Sequence, residues 1–248
     1  MRYQFDVKEI TKSEALTMVQ KYHYSNTLPK LNKVFLGFFL EGSLVGVITL
    51  GYGTRPRHTI QKLFPALNTE DYLEIGRMCM TEEMPRNSES QMLSACVKWI
   101  KVHLPKLKIL FTWADGMLGK CGYVYQASNF IYAGYSKTDI YLMDGVKIHP
   151  RQCKKLFGRA NETRIGVRPT VEQMKAYGIK HYAGHQYRYF LMLCNRREQK
   201  SLWGGTAYLG ISKTQRILIY GGAYTTQKQE NGKSAVCHHT KRIARQTI

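Results

Sequence analysis

The sequence predicts a mixed α/β fold, a central sheet flanked by helices with a basic C-terminal extension, and three observations carry that prediction. Helical and strand periodicities alternate between residues 7 and 137 in the order helix, hairpin, strand, helix, strand, helix, strand, as expected of elements layered on one sheet. The 248 residues are 44% hydrophobic, enough to bury one large core. The charge is lopsided: residues 1–145 carry 17 basic and 13 acidic side chains, residues 146–248 carry 20 and 4, and most of the net +20 lies in the second part. We therefore expect a core over 1–145 and a basic region over 146–248 packed on it.

Each element has a local reason. Residues 7–22 (VKEITKSEALTMVQKY) space Ile10, Ala15, Leu16, Met18 and Val19 as a helix does, with Thr11 as cap. Residues 34–41 and 44–51 are apolar strands joined by the tight polar turn EGS, a hairpin. A Gly/Arg/Pro loop and a short polar helix near 59–70 lead to the strand YLEIGRMCM at 72–80. Residues 88–103 form a helix capped by Ser88, followed by a strand at 108–115, a glycine loop, a short helix near 122–129 and a strand over 129–137. Asn129 ends the short helix, because asparagine tolerates left-handed backbone. The tail alternates Gly, Tyr and apolar stretches such as RILIYGGAY (216–224), which predicts a small added sheet.

Composition excludes several classes. No run reaches the ~20 apolar residues of a spanning helix, and the acidic residues in MRYQFDVKEITKSEAL do not suit a secretory signal. A cytoplasmic protein is expected. Six cysteines without a CxxC pair signal neither a disulfide framework nor a thiolate zinc site, so they read as reduced, mostly buried thiols. The positive excess calls for a polyanion, and "IKHYAGHQYRYF" (179–190) mixes bases with aromatics in the manner of phosphate and sugar contacts. Nucleic acid is the expected partner, and an anionic membrane is disfavoured because no clean amphipathic helix is present. Arg151, Lys154, Lys155, Arg159, Arg164, Arg168, Arg188, Arg196 and Arg197 are the candidate DNA contacts.

The element order, with a loop after the central strand leading into a long helix, resembles the GNAT acyltransferase superfamily. That resemblance implies an acyl carrier's phosphates at the helix N-terminus, where free N–H groups and the helix dipole favour anions. Arg86, Asn87, Ser88 and Ser90 would hold them here, although "MPRNSESQ" (84–91) lacks the glycine such loops usually carry. "KYHYSNTLP" (21–29), "EIGRMCM" (74–80), "PRNSES" (85–90), "FTWADGMLGKCGYVYQASNFIYAG" (111–134), "DGVKIHPR" (144–151) and "YRYF" (187–190) occur in the order found in the phage Mom family, which the chain resembles over roughly residues 14–200. The resemblance implies a GNAT-related enzyme that converts adenine in phage DNA to a carbamoylmethylated form and so blocks host restriction. It points to His23, Tyr24, Arg77, Asp115 and Tyr125 as the catalytic set.

Each of these residues also has a plain structural reading. His23 is as apt for a surface or a cap as for proton transfer. Tyr24 could pack on the core, and Arg77, among apolar neighbours, could form an ion pair with Asp115 or Glu74. Asn87, Ser88 and Ser90 have the makings of a helix cap. Asp115 is either a turn cap or an acid at the carboxyl end of a strand, where open α/β sheets bind ligands. Tyr125 is either a core aromatic or, as the GNAT resemblance implies, a proton donor to the departing group. If a base is flipped out of the duplex, Tyr22, Tyr24, Trp113 and Tyr125 are the aromatics suited to hold it.

No metal site is expected: "CHH" (237–239) places adjacent residues that rarely face one ion, and Gly184 interrupts any helix joining His181 to His185. The donor is unidentified. A coenzyme A thioester is one candidate, and iron is another requirement to consider, because joining nitrogen to a methylene is not ordinary acyl transfer. The alternatives are a GNAT-type N-acyltransferase for a protein or small amine, a non-catalytic DNA-binding protein and a membrane-surface protein. Oligomeric state, a homodimer included, is left open.

Overall fold

The structure, a computed structural model, describes residues 3–53, 60–61, 63–148, 153, 156–157, 169–204, 218–220, 223–226 and 235–237. The chain forms two compact units, the first from 1–114, 120–134 and 187–248 and the second from 115–119 and 135–186, so residues on either side of position 145 share a unit.

In the first unit, β1 (Asp6–Glu9), β2 (Asn32–Leu40), β3 (Ser43–Gly51) and β4 (Tyr72–Met80) pair antiparallel in that order. β4 then pairs in parallel with β5 (Ile109–Asp115). The last part of β8 (Ile179–Met192) and the first part of β6 (Ile131–Met143) continue the order beyond β5. This is the mixed α/β arrangement the sequence led us to expect.

The helix predicted over 7–22 is shorter. α1 spans Lys12–Tyr22, and Asp6–Glu9 is an edge strand paired antiparallel with β2. Thr11 is the cap: its hydroxyl accepts the Glu14 N–H at 3.2 Å while Glu14 Oε2 accepts the Thr11 N–H at 2.8 Å. α2 spans Ser88–His103 as predicted, but its cap position is Asn87, not Ser88, because the left-handed backbone of Asn87 (φ 72°) turns the chain into the helix. The polar helix expected near 59–70 lies partly outside the described residues, and Thr69–Asp71 is a single 3-10 turn.

The main core buries Leu36, Phe38, Ile48, Leu50, Leu73 and Ile75 of the sheet against Met92, Leu93, Cys96 and Ile100 of α2. Both sheet faces are covered: Ala15, Met18 and Val19 of α1 pack on Val47 and Cys79, and Ile60, Leu63, Phe64 and Leu67 cover Tyr72 and Phe111. α3 (Tyr123–Ala127) follows the glycine loop, and Asn129 carries the expected left-handed backbone at φ 63°. α5 (Arg196–Gly204) starts behind Asn195, whose side chain accepts from the N–H groups of Arg197 and Glu198. In the tail, β9 (Leu218–Tyr220), β10 (Ala223–Thr226) and β11 (Ala235–Cys237) make the expected small sheet.

The second unit holds the remaining parts of β6 and β8, with β7 (Val146–Ile148) antiparallel to β6 and α4 at Val171–Ala176. Tyr141, Cys153 and Ile179 form its core, and His181 Nε2 meets Asp139 Oδ1 at 2.8 Å.

Gly122 opens α3 with φ +81°, and a Cβ there would stand 2.5 Å from the Tyr189 ring. Gly122→Ala is expected to cost about 2 kcal/mol through strain and overpacking, read as a lower urea midpoint with unchanged m-value.

Candidate active site

The sheet itself assembles the site. β3 and β4 lose register at one point, with Thr49 opposite Arg77 and Leu50 opposite Ile75, so Gly76 is a β-bulge. Side chains alternate across a regular strand, and residues three apart would face opposite sides. The extra residue instead brings Glu74 and Arg77 to the same face, that of α1. A further consequence lies on the other edge: the parallel pairing of β4 and β5 stops at Ile75 and Thr112, while β4 runs on to Met80 and β5 to Asp115. The two strands part where Arg77 and Trp113 stand.

Arg77 organises what surrounds it. Its Nε donates to Thr27 O at 2.8 Å, Nη1 to Gly76 O at 2.7 Å and Nη2 to Ser25 Oγ at 2.9 Å, while its own N–H is bonded to Thr49 Oγ1 at 3.0 Å. Those donors go to carbonyls and a hydroxyl rather than to Glu74. The loop after α1 is thereby tied to β4, and its two aromatic residues are placed. His23 ends α1, its Nδ1 stands 2.9 Å from the Ser25 nitrogen and 3.0 Å from the Ser25 carbonyl oxygen, and its ring stacks on Tyr24 with centroids 4.2 Å apart. Lys120 Nζ stands 4.3 Å above the Tyr24 ring, and Tyr24 is 53% exposed.

Electrostatics sets the protonation states. His23 is lowered to about 4, chiefly by burial and then by Arg77, with Lys120 adding to the effect and the Ser25 bond opposing it. Glu74 is pushed up to about 7 by burial, while the Trp113 indole N–H and the Arg77 cation pull the other way. At neutral pH the cluster holds a neutral imidazole, two cations and a carboxyl near its midpoint. Sequence reasoning treated Glu74 only as a salt-bridge partner and missed Lys120, whose signal was its place in the loop GKCG.

The other candidates fall elsewhere. Tyr125 lies in the main core with the residues of α2, 9% exposed, enclosed by Phe130 and Tyr189, and burial raises its phenol. It offers no open face for stacking. Asp115, in the second unit, caps the 3-10 turn Gly116–Leu118 by accepting the Met117 N–H at 3.1 Å, which is the bond of the plain turn-cap reading. Arg188 donates from Nε and Nη2 to Ala133 O at 2.9 and 2.8 Å and lies over Trp113 at 5.8 Å, a structural engagement rather than a free phosphate contact. Arg196 and Arg197 are exposed on the first turn of α5. Arg151, Lys154, Lys155, Arg159, Arg164 and Arg168 lie outside the described residues.

The start of α2 does not suit a pyrophosphate. Ser88 Oγ donates to Pro85 O at 2.6 Å and Ser90 Oγ to Asn87 O at 2.8 Å, and the Asn87 side chain caps nothing. Glu89 lies in the first turn of α2, and Glu82 and Glu83 precede it in sequence, with Arg86 between. Among the described residues no three His, Cys, Asp or Glu side chains gather into a metal-holding group. Cys79, Cys96, Cys121 and Cys153 are buried free thiols, as expected, and burial pushes Cys96 up to about 12.

A model of the Mom protein family matches residues 4–208. The chain belongs to the Mom protein family. It is 31% identical over 188 residues to the methylcarbamoylase mom of Escherichia phage Mu, covering 76% of this chain and 75% of that protein. Among solved structures, this Mom-family chain is similar to an N-acetyltransferase from Staphylococcus aureus Mu50, at 15% identity over 78% of this chain and all of that one, with a TM-score of 0.43. A Bacillus subtilis acetyltransferase in complex with CoA aligns at 13% identity over 77% and 100% of the two chains, with a TM-score of 0.41. Among the described residues no helix is long and apolar enough to cross a membrane.

The two shifted groups give opposite pH signatures. The raised Glu74 contributes stability below its ordinary 4.5 that is lost as pH rises through about 7, so wild type minus Glu74→Gln should fall across that window. The lowered His23 contributes stability above 6.5 that is lost as pH falls toward 4, so wild type minus His23→Gln should fall in that direction. Urea unfolding of the three proteins between pH 4 and 8 checks both signs.

Proposed function

We propose that this chain is a DNA-modifying transferase that adds a carbamoylmethyl group to the exocyclic amine of adenine in double-stranded phage DNA, in the host cytoplasm, and so shields that DNA from restriction. The observation that carries the reading is the Arg77 cluster, in which the loop residues of the Mom-like motif KYHYSNT meet the EIGR segment of β4. Membership in the Mom family and the name of the phage Mu relative support it.

The chemistry asks for three things. Adenine must leave the stack, because its amine is paired within the duplex. Its N6 must lose a proton as the new bond to carbon forms, and a group departing from the donor must be stabilised as it gains charge. Arg77 and Lys120, positive beside His23 and Tyr24, suit that developing negative charge. The relative's name specifies a methylcarbamoyl group, an isomer of carbamoylmethyl with the same mass. The methylcarbamoyl product is a urea that would release methyl isocyanate on fragmentation, whereas the carbamoylmethyl product is a substituted amine.

The test is to express the protein in a restriction-deficient host, digest its DNA to nucleosides and fragment the products. An adenosine derivative of the added mass supports the reading; unmodified DNA favours an acyltransferase for another amine or a non-catalytic DNA-binding protein. His23→Ala, Tyr24→Phe, Arg77→Ala, Asp115→Asn and Tyr125→Phe are expected to leave adenine unmodified at equal expression. Normal modification by Asp115→Asn would leave that residue as a turn cap.

Binding should be steeply salt-dependent, because neutralised phosphates release counterions. Arg196→Ala with Arg197→Ala is expected to reduce the slope of log K against log salt by about 2. Arg188→Ala should leave that slope unchanged while lowering activity, since its guanidinium is engaged with Ala133 and Trp113.

A further inference from the structure

β6 and β8 are neighbours in the sheet, and within the second unit their side chains show how they run. Tyr135 meets His185 edge to face with ring centroids 4.4 Å apart, and four residues further along β6 Asp139 Oδ1 meets His181 Nε2 at 2.8 Å. Residue numbers rise by four on β6 while they fall by four on β8, so the strands are antiparallel and no extra residue interrupts the ladder between these pairs. Lys137 therefore stands opposite Ala183. Because side chains alternate along a strand, Tyr135, Lys137 and Asp139 share one face with His181, Ala183 and His185, while Lys180, Tyr182 and Gly184 turn to the other.

The two faces differ. A Cβ on Gly184 would overlap the Met117 side chain, so the second face is covered at that position. On the first face Tyr135 is 52% exposed, and Lys137 and Ala183 are exposed between the half-buried His181 and His185. The small Ala183 keeps the centre of this face low beside Lys137. His181 stacks on Tyr141 with centroids 4.7 Å apart, and Tyr141 belongs with Cys153 and Ile179 to the core of the unit, so this end of the face rests on a fixed floor. A lysine, two imidazoles and a phenol gathered around a low centre are hydrogen-bond donors of the kind that meet phosphate oxygens. The Asp139 carboxylate, which would repel a phosphate, is engaged by His181.

We propose that this face of the β6–β8 ribbon seats a phosphodiester backbone of double-stranded DNA, with Lys137 as its central cation. The assignment rests on the reading of the chain as a DNA-modifying enzyme, and it gives that enzyme a duplex-positioning surface that the nominated arginines and lysines do not include. The other occupant of an exposed face bearing tyrosine is a second copy of the chain. Charge argues against a copy: residues 135–186 carry ten Lys and Arg against four Asp and Glu, so a symmetric pairing would set like charge against like. Lysine at the centre of the face is also what the cores of protein interfaces avoid.

The test is duplex affinity over a range of salt, which needs no donor of the transferred group. Lys137→Ala is expected to lower the slope of log K against log salt by about 1, and to weaken binding equally on duplexes of unrelated sequence. Lys137→Arg should keep the wild-type slope. Lys180→Ala removes an exposed lysine from the opposite face of the same ribbon and should leave the slope unchanged. Ethylation interference should reveal a phosphate whose ethylation weakens wild type but not Lys137→Ala. Equal slopes for wild type and Lys137→Ala, or equal losses from the two alanine variants, overturn the assignment. So does a dimer in DNA-free solution that Tyr135→Ala dissociates while duplex affinity stays the same. The functional reading fails separately: if wild type leaves cellular adenine unmodified, adenine modification is wrong, and the comparison of Lys137 with Lys180 still decides whether this face holds DNA.

Discussion

The site depends on a guanidinium that is only half exposed and whose donors are bonded to the chain itself. Arg77 lowers its cost of burial by giving Nε, Nη1 and Nη2 to Thr27 O, Gly76 O and Ser25 Oγ. Two of those acceptors belong to the loop after α1, so the same bonds that stabilise the cation also fix the loop. The bulge at Gly76 is what makes this geometry available. Without the extra residue, Glu74 would turn to the α2 face and leave Arg77 alone on the α1 face.

From that anchor the electrostatics follow. Burial, and after it the Arg77 cation seconded by Lys120, keeps the His23 imidazole neutral far below its ordinary range. The same burial raises Glu74, because it disfavours the carboxylate, and the Trp113 and Arg77 interactions oppose it without cancelling it. One positive patch and one reluctant carboxyl share a single sheet face. The patch suits charge that develops during transfer.

Much of the fold was legible because local signals and burial agreed. β4 and α2 match their predicted spans, since an apolar strand and an amphipathic helix each fill their face of one core. The N-terminal helix was drawn too long because Val7 and Ile10 also fit helical spacing, and the pairing of Asp6–Glu9 with Leu36–Phe39 is a long-range fact that local sequence does not carry. The site was legible in part. The grouping of His23, Tyr24 and Arg77 was implied by the Mom resemblance, but the bulge that brings Glu74 to the same face has no local signature beyond a glycine. Arg188 looked like one more base in a basic tract; that it serves Ala133 and Trp113 depends on a distant partner. Tyr125 was identified by its motif, and its depth in the core came from the packing of α3 beside α2.

The central claim is that Arg77 and Ser25 act as one device that sets the loop, and a double-mutant cycle on modified adenine per total adenine tests it most directly. Arg77→Lys keeps the charge but cannot reach three acceptors, and Ser25→Ala removes one acceptor while leaving the charge. If the device is single, each variant lowers modification and the double variant falls little further than the worse of the two. Losses that multiply independently, or normal modification by Arg77→Lys, would contradict the account.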